Sequence, residues 1–244
     1  MKDPEGTRLD AWLAHAGIGS RRQVRILIGR GQVRLAGEVC RDASIRVGGR
    51  SVEVDGNEVA EPISVLHLVL HKPVGYACTH DEREAPIVDD LLPSEFRLAG
   101  LHVAGRLDRE TSGLVLLTTD GELNHRLTHP RRKLEKRYRI GYRGQLDANA
   151  TERCAEGLKL VGDERLTLPA MLHIVEPGRA VMLLQEGRTH QVRRMIEALG
   201  GWVIELHRDR IGCYDLPRDL PEGECRRLTP EDLERLFTVS DSSL

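Results

Sequence analysis

Gly105-Arg-Leu-Asp-Arg-Glu-Thr-Ser-Gly113 runs directly into Leu114-Val-Leu-Leu-Thr118, so four charged side chains sit between two glycines at the mouth of an apolar run. That run, bounded by turn residues, predicts a buried strand over Gly113–Thr118. An ionised carboxylate at the edge of such a strand is costly unless it is paired or hydrogen-bonded. Arg106, Arg109, Thr111 and Ser112 are all near Asp108 in sequence, and any of them could satisfy it. Spacing alone leaves two readings standing. Asp108 is a turn residue accepting backbone N–H groups, or it is a nucleophile or base in an anion-binding surround.

Working outward, further strands are predicted over Leu66–Leu70, Lys136–Tyr142, Ala170–Val175, Ala180–Gln185 and Trp202–His207. Short helices are predicted at Val88–Leu92, at Asp120–Leu127 with Asp120 as N-cap, and around Ala150–Leu158. After Gly187, Val192, Met195, Ile196 and Leu199 form a helical stripe. On that helix Arg193 lies about 100° from Val192 and borders the buried face, whereas Arg194 faces outward. Thr229-Pro-Glu-Asp232 opens a final helix with a cap, a proline and early acids. The N-terminal segment reads as a unit of its own. Leu9, Trp12, Leu13 and Ala16 recur at helical spacing, Ser20 caps a second helix bearing Val24, Leu27 and Ile28, and short strands follow at Val33–Leu35, Val39 and Ser51–Val54. Glu58–Ile63, with Pro62, reads as a linker. The expected architecture is α+β, with domains at 1–61 and 62–244.

The net charge is only −2, but its distribution is uneven. Arg8–Arg50 holds nine arginines against Asp10, Glu38 and Asp42, and Arg131–Arg143 holds seven basic residues against Glu135 alone. Concentrated positive charge of this kind suits a polyanion. The five cysteines are widely spaced with no C-x-x-C pair, which argues against a disulfide framework and a zinc knuckle. The ten histidines lack ligand spacing, so no metal site is expected. No apolar run approaches the roughly 20 residues that span a bilayer, and a reduced, cytoplasmic protein is the expectation.

Two further segments carry candidate chemistry. Gly187-Arg-Thr-His-Gln-Val-Arg-Arg-Met195 brings Arg193 to the border of a buried face, where it reaches into a pocket or stays a surface charge. In Leu134-Glu-Lys-Arg-Tyr-Arg139 a tyrosine lies amid cations, in a chain with only two Trp, four Tyr and two Phe. Such a ring suits a base stacked on its face while arginines hold the backbone, or it is a half-exposed strand residue.

These segments together resemble one family. Gly105–Leu114, preceded by His102-Val-Ala, is similar to the signature of pseudouridine synthases of the RsuA/RluA superfamily. Lys136-Arg-Tyr138 resembles their second motif and Gly187–Arg193 their third. His71-Lys-Pro-Val-Gly-Tyr76 is similar to the Asn-Lys-Pro-x-Gly entry of the catalytic domain, with His71 in place of the usual Asn. Arg8-Leu-Asp10 and Ser20-Arg-Arg22 resemble an S4 RNA-binding domain. Glu205–Gly212 and Leu220–Arg226 are most similar to the RsuA branch, which acts on 16S rRNA.

The resemblance implies a small S4-like domain of two helices and short strands, then a catalytic domain on a mixed, largely antiparallel sheet with flanking helices. It implies isomerisation of a uridine to pseudouridine in 16S rRNA, in the naked RNA or a partly assembled small subunit, by a monomer without a cofactor. Asp108 would be the essential residue, as nucleophile or as base on the sugar. Tyr138 would stack on the uracil and help remove the C5 proton, and Arg193 would pair with Asp108. Arg106, Arg21, Arg22, Arg25, Arg131, Arg132, Lys136, Arg188 and His190 would contact RNA. The alternatives are a 23S rRNA target and a catalytically silent RNA-binding or assembly factor. A glycosidase is disfavoured, because Glu110 is the only second acid near Asp108.

Overall fold

In the computed structural model, which describes residues 6–61, 65–97, 100–129 and 134–238, the chain divides into two compact units. One comprises the described residues of Met1–Leu66 and Pro93–His102, the other those of His67–Leu92 and Val103–Leu244.

In the first unit, α1 (Leu9–His15) and α2 (Arg21–Arg30) precede β1 (Val33–Leu35), β2 (Glu38–Val39), β3 (Val52–Val54) and β4 (Asn57–Glu58). Ser20 starts α2 through a complete capping box with Gln23, and Gly31 ends it in the left-handed conformation at φ 77°. The strands form an antiparallel sheet in the order β2-β1-β3-β4. Leu9, Leu13, Val24, Ile28, Val33 and Val52 close its core. The predicted linker begins on the end of β4, and its Pro62 and Ile63 lie outside the described residues.

Asp10 is fully buried at the edge of this core, and three arginines converge on it. Arg8 Nε lies 3.2 Å and Arg21 Nη2 3.1 Å from Oδ1, and Arg25 Nη2 lies 2.8 Å from Oδ2. Burial opposes ionisation, yet the hydrogen bonds from Arg8, Arg25 and Arg21 hold the carboxyl well below the usual carboxylate range.

The second unit is built on a nine-stranded sheet. Its elements are β5 (His67–Lys72), β6 (His102–Ala104), β7 (Ser112–Thr118), α3 (Gly121–Thr128), β8 (Lys136–Gly144), α4 (Ala150–Glu156), β9 (Met171–Glu176), β10 (Arg179–Leu184), α5 (Gln191–Ala198), β11 (Gly201–Ile211), β12 (Tyr214–Asp215), β13 (Cys225–Arg227) and α6 (Pro230–Phe237). The strand order is β13-β5-β7-β11-β8-β10-β9, with β12 on β11 and β6 on β7 off that path. Along the path every pairing is antiparallel except β7 with β11.

Leu114–Leu117 of β7 are at most 1 % exposed, so both faces of this strand are covered, which explains its unbroken apolar run. Val69, Leu114 and Leu116 pack with Leu123 and Leu127 of α3 and Leu236 of α6. Helix α5 lies on β11 and α4 on β9. Asp120 and Thr229 cap α3 and α6 as their spacing predicts.

Two predicted elements differ. Val88–Leu91 is a single 3₁₀ turn, because Pro86 and Pro93 bracket the segment and leave no room for an α-helix. The predicted strand Trp202–His207 runs on to Ile211, because the polar run His207–Arg210 is paired inside the sheet. Among the described residues no helix is long and apolar enough to cross a membrane.

Gly113 holds the parallel junction together. At φ 112°, a Cβ built on it would lie 2.2 Å from the Arg208 carbonyl oxygen and 2.7 Å from the Arg208 nitrogen, so β7 and β11 approach this closely only with glycine there. Gly113→Ala should therefore destabilise the second unit by about 3 kcal/mol in urea unfolding followed by Trp202 fluorescence. In the first unit, Asp10→Asn should cost about 1–2 kcal/mol, read from faster amide exchange in α1 and α2. Because the folded carboxyl titrates below its unfolded value, the stabilisation it supplies is complete above the unfolded value near 3.8 and is lost as pH falls towards the folded one. The variant should remove that acid-side loss.

Candidate active site

The loop between β6 and β7 carries Asp108 and is fixed from beneath by Lys72 at the end of β5. This side chain is fully buried. Its Nζ donates to the carbonyls of Thr111 (2.8 Å), Pro73 (2.9 Å), Asp108 (3.2 Å) and Arg109 (3.4 Å). Burial pulls the ammonium below the usual lysine range, opposed by nearby Cys78, Glu110 and Asp108. The loop adds its own turn, Thr111 N–H to the Asp108 carbonyl at 3.0 Å, and Gly75 N–H donates to Arg109 at 2.8 Å. Leu107 is buried, and its N–H points at Cys78 Sγ, 3.4 Å away.

From the other side comes Arg208 of β11, 1 % exposed. Its Nε and Nη2 donate to the Leu114 carbonyl at 3.0 and 2.7 Å, Nη2 also reaches the Gly105 carbonyl, and Nη1 lies 3.5 Å from the Tyr138 hydroxyl. One guanidinium thus ties both ends of the Asp108 loop to the tyrosine of β8. Tyr138 is itself 9 % exposed and stands opposite Arg208 and Met182 in the sheet.

A third element is the turn before α5. His190, at the α5 N-cap, has left-handed backbone angles (φ 50°, ψ 30°), which cost a non-glycine residue about 1 kcal/mol. The turn is held by Arg188, which donates to Asp163 (2.8 Å), Glu186 (3.2 Å) and the carbonyls of Arg165 (3.0 Å) and Leu166 (2.6 Å). Gln191, buried, accepts from Arg188 N–H at 2.8 Å and donates to Glu186 at 2.5 Å. Arg194 donates to Asp163 at 2.5 Å, so it is half-buried in this cluster rather than facing outward as helical spacing predicts. Hydrogen bonds from Arg188 and Arg194 hold the Asp163 carboxyl below its usual range.

Arg193 bonds the Asp108 loop and Tyr138 is linked to it through Arg208, but the pairing differs from the one expected. Arg193 does not reach the Asp108 carboxylate. It donates to the Glu110 carbonyl at 2.9 Å, and His190 Nε2 lies 3.6 Å from Asp108 Oδ1. The Asp108 side chain is 35 % exposed, open on one side. Arg106 is exposed and makes no hydrogen bond or ion pair among the described residues. Ser112 braces β7 through His207 Nδ1 at 2.9 Å, and Thr111 acts through its carbonyl, its buried hydroxyl having no partner among the described residues.

Of the expected RNA contacts, Arg22 is exposed, while Arg21 and Arg25 keep more than half of their side chains exposed despite gripping Asp10. Arg188 and Lys136 are engaged within the protein. Arg188 is occupied by the Asp163 cluster. Lys136 is half-buried, donates to the Leu134 carbonyl at 2.9 Å, and is drawn down to about 8 by burial and then by Arg208. Arg131 and Arg132 lie outside the described residues. His71, at the position where its motif departs from the usual Asn, bonds the Leu220 carbonyl through Nδ1 at 2.9 Å and stacks edge-on against His207.

Sequence reasoning missed the structural weight of Lys72 and Arg208. Lys72 is signalled only by a charge placed between an apolar run and a proline. Arg208 sits in His207-Arg-Asp-Arg210, which reads as surface until Asp209 is seen to accept from Arg137 and Arg139.

The sequence pattern of RNA pseudouridylate synthases matches residues 66–198, and that of the S4 domain matches residues 7–58. Among curated proteins, the ribosomal small subunit pseudouridine synthase A of Vibrio parahaemolyticus is 40% identical over 94% of this chain and 99% of its own. The protein of the same name from Escherichia coli is 39% identical over 93% and 98%. A solved structure described as a pseudouridylate synthase superposes with a TM-score of 0.68 at 34% identity, covering 95% of this chain and 100% of that one.

Replacing Lys72 by Met should strip the Thr111 carbonyl of this donor and leave those of Asp108 and Arg109 with one N–H each, lowering stability by about 2 kcal/mol. The amides of residues 107–111 should exchange faster than those of β5 and β7, measured by hydrogen–deuterium exchange. A uniform change across the unit would show that Lys72 does not act on the loop.

Proposed function

The chain belongs to the RNA pseudouridylate synthase family, and on that footing we propose that it isomerises a uridine of 16S ribosomal RNA to pseudouridine, with Asp108 acting on the ribose. The supporting observation is the half-open Asp108 carboxylate on a loop clamped by two buried cations, with Tyr138 tied to the same loop. The reaction breaks N1–C1′ and forms C5–C1′, while C5 gives up a proton and N1 gains one. Atoms and electrons balance within the nucleotide, and no external reductant or oxidant enters.

The residues divide the work. The Asp108 carboxylate engages the sugar, as nucleophile at C1′ or as base, from a backbone that has no freedom to retreat. Tyr138 offers an enclosed ring face for the turning uracil and a hydroxyl for the C5 proton. Arg193 fixes the Glu110 carbonyl, so its contribution is to loop position. A uridine must leave its stack to reach the carboxylate, which costs a few kcal/mol. Exposed Arg106 beside the loop, and Arg21, Arg22 and Arg25 on the S4-type unit, supply phosphate contacts that offset it. The RNA is read as part of a small subunit during assembly in the cytoplasm, by a monomer. The name shared by the curated relatives favours 16S over 23S rRNA.

Tritium release from 5-tritiated uridine tests this directly, with 16S and 23S transcripts, each with and without ribosomal proteins. Release is expected from 16S substrates alone. Asp108→Asn should abolish it, with RNA affinity in filter binding changed less than about twofold, since that carboxylate neutralises no phosphate. Full release by the variant would remove Asp108 from the chemistry. Tyr138→Phe should slow release by about 100-fold through loss of the proton acceptor. An unchanged rate would leave the ring with stacking alone.

A further inference from the structure

Lys72 and Arg208 fix the backbone of the Asp108 loop, but neither touches the carboxylate. The candidate arginines do not pair with it among the described residues. Arg109 donates to the Glu84 carbonyl, Arg193 to the Glu110 carbonyl, and Arg106 is exposed. Among the described residues the group within ion-pair range of that carboxylate is the His190 imidazole, its Nε2 3.6 Å from Oδ1. Its position is built. A left-handed backbone at φ 50° aims it, and the preceding turn is locked by buried Gln191 and by Arg188 on Asp163.

We propose that His190 is a positioning residue for Asp108. With a proton on Nε2 it holds Oδ1 and sets the plane of the carboxylate, so that Oδ2 is the oxygen presented to the ribose. A carboxylate rotates freely about its last bond unless one oxygen is held, and a reacting oxygen misplaced by about 1 Å loses on the order of 100-fold in rate. The assignment rests on the reading of Asp108 as the residue that acts on the sugar, and it gives the third motif a role on the carboxylate through its histidine.

The test is single-turnover tritium release from the 5-tritiated 16S substrate by wild type, His190→Ala, His190→Gln and Asp108→Asn. His190 is 57 % exposed, so its variants should fold, which circular dichroism checks. His190→Ala is expected to lose about 10- to 100-fold in the maximal rate with KM for RNA nearly unchanged. Added imidazole should restore much of that rate in His190→Ala and do nothing for wild type, a response that a merely structural residue would not give. His190→Gln, whose amide still donates, should fall between the two. An unchanged rate, a loss confined to KM, or failure of imidazole to rescue would overturn the proposal, the second result making His190 an RNA contact. If Asp108→Asn is fully active, the reading of Asp108 fails instead, and the two failures are separated by which variant shows them.

Discussion

The Lys72 ammonium meets backbone carbonyls where a buried cation would ordinarily meet a carboxylate, and the path of the Asp108 loop follows from that. Away from water the ammonium has only carbonyls to meet, and the Thr111 carbonyl depends on it, while the carbonyls of Asp108 and Arg109 accept from it as well as from the N–H groups of Thr111 and Gly75. The mutual need is met only when the loop curls around Nζ. Because the donor reaches carbonyls and leaves the Asp108 side chain alone, the carboxylate keeps its open side. A carboxylate partner for Lys72 would satisfy the ammonium equally well and leave the loop unconstrained. Arg208 applies the same device from β11, its donors on Gly105 and Leu114 and its remaining reach on Tyr138.

How far this was legible from sequence depends on the range of each interaction. Ser20, Asp120 and Thr229 announce their helices because a cap involves residues three apart. The buried run after Gly113 and the stripe on α5 are equally local. Asp108, Tyr138 and Arg193 were singled out through motif resemblance; Arg193 bonds the Asp108 loop directly and Tyr138 is linked to it through Arg208. Which group faces the carboxylate was not legible. Helical spacing puts Arg193 on the right border, but whether a long side chain ends on a carboxylate or a carbonyl depends on where Glu110 lies, a residue 83 positions away. The left-handed turn that aims His190 has no glycine to announce it.

The arginines illustrate the same limit in another form. Arg22 and Arg106 are displayed to solvent, Arg21 and Arg25 are shared between Asp10 and solvent, and Arg188, Arg208 and Arg137 are held by acids or carbonyls of the protein. Nothing in a run of basic residues separates these fates, since each is decided by an acid or carbonyl brought from elsewhere in the chain. The positive charge available to RNA is therefore smaller than the sequence total and more narrowly placed, which bears on the salt dependence expected of binding.

The single parallel contact along the seven-strand path has a consequence for how the molecule is made. Strands β13, β5 and β7 form one antiparallel group and β11, β8, β10 and β9 another, joined in register by the two rungs His207–Ser112 and Arg208–Gly113 and by the side chains of Arg208 and His207. The residues at that seam are about 95 apart in the chain, so closing it carries a large loop entropy and few rungs to reward it. The β9–β10 hairpin is local, whereas β13 pairs with β5 across a greater stretch of chain than the seam itself. Lys72 arrives with the first group and Tyr138 and Arg208 with the second, so neither group alone holds the carboxylate in its final surroundings. Both groups and the seam between them must therefore be in place before the Asp108 loop has its final surroundings, and recovery of activity after dilution from denaturant would report completion of the whole sheet rather than the appearance of secondary structure.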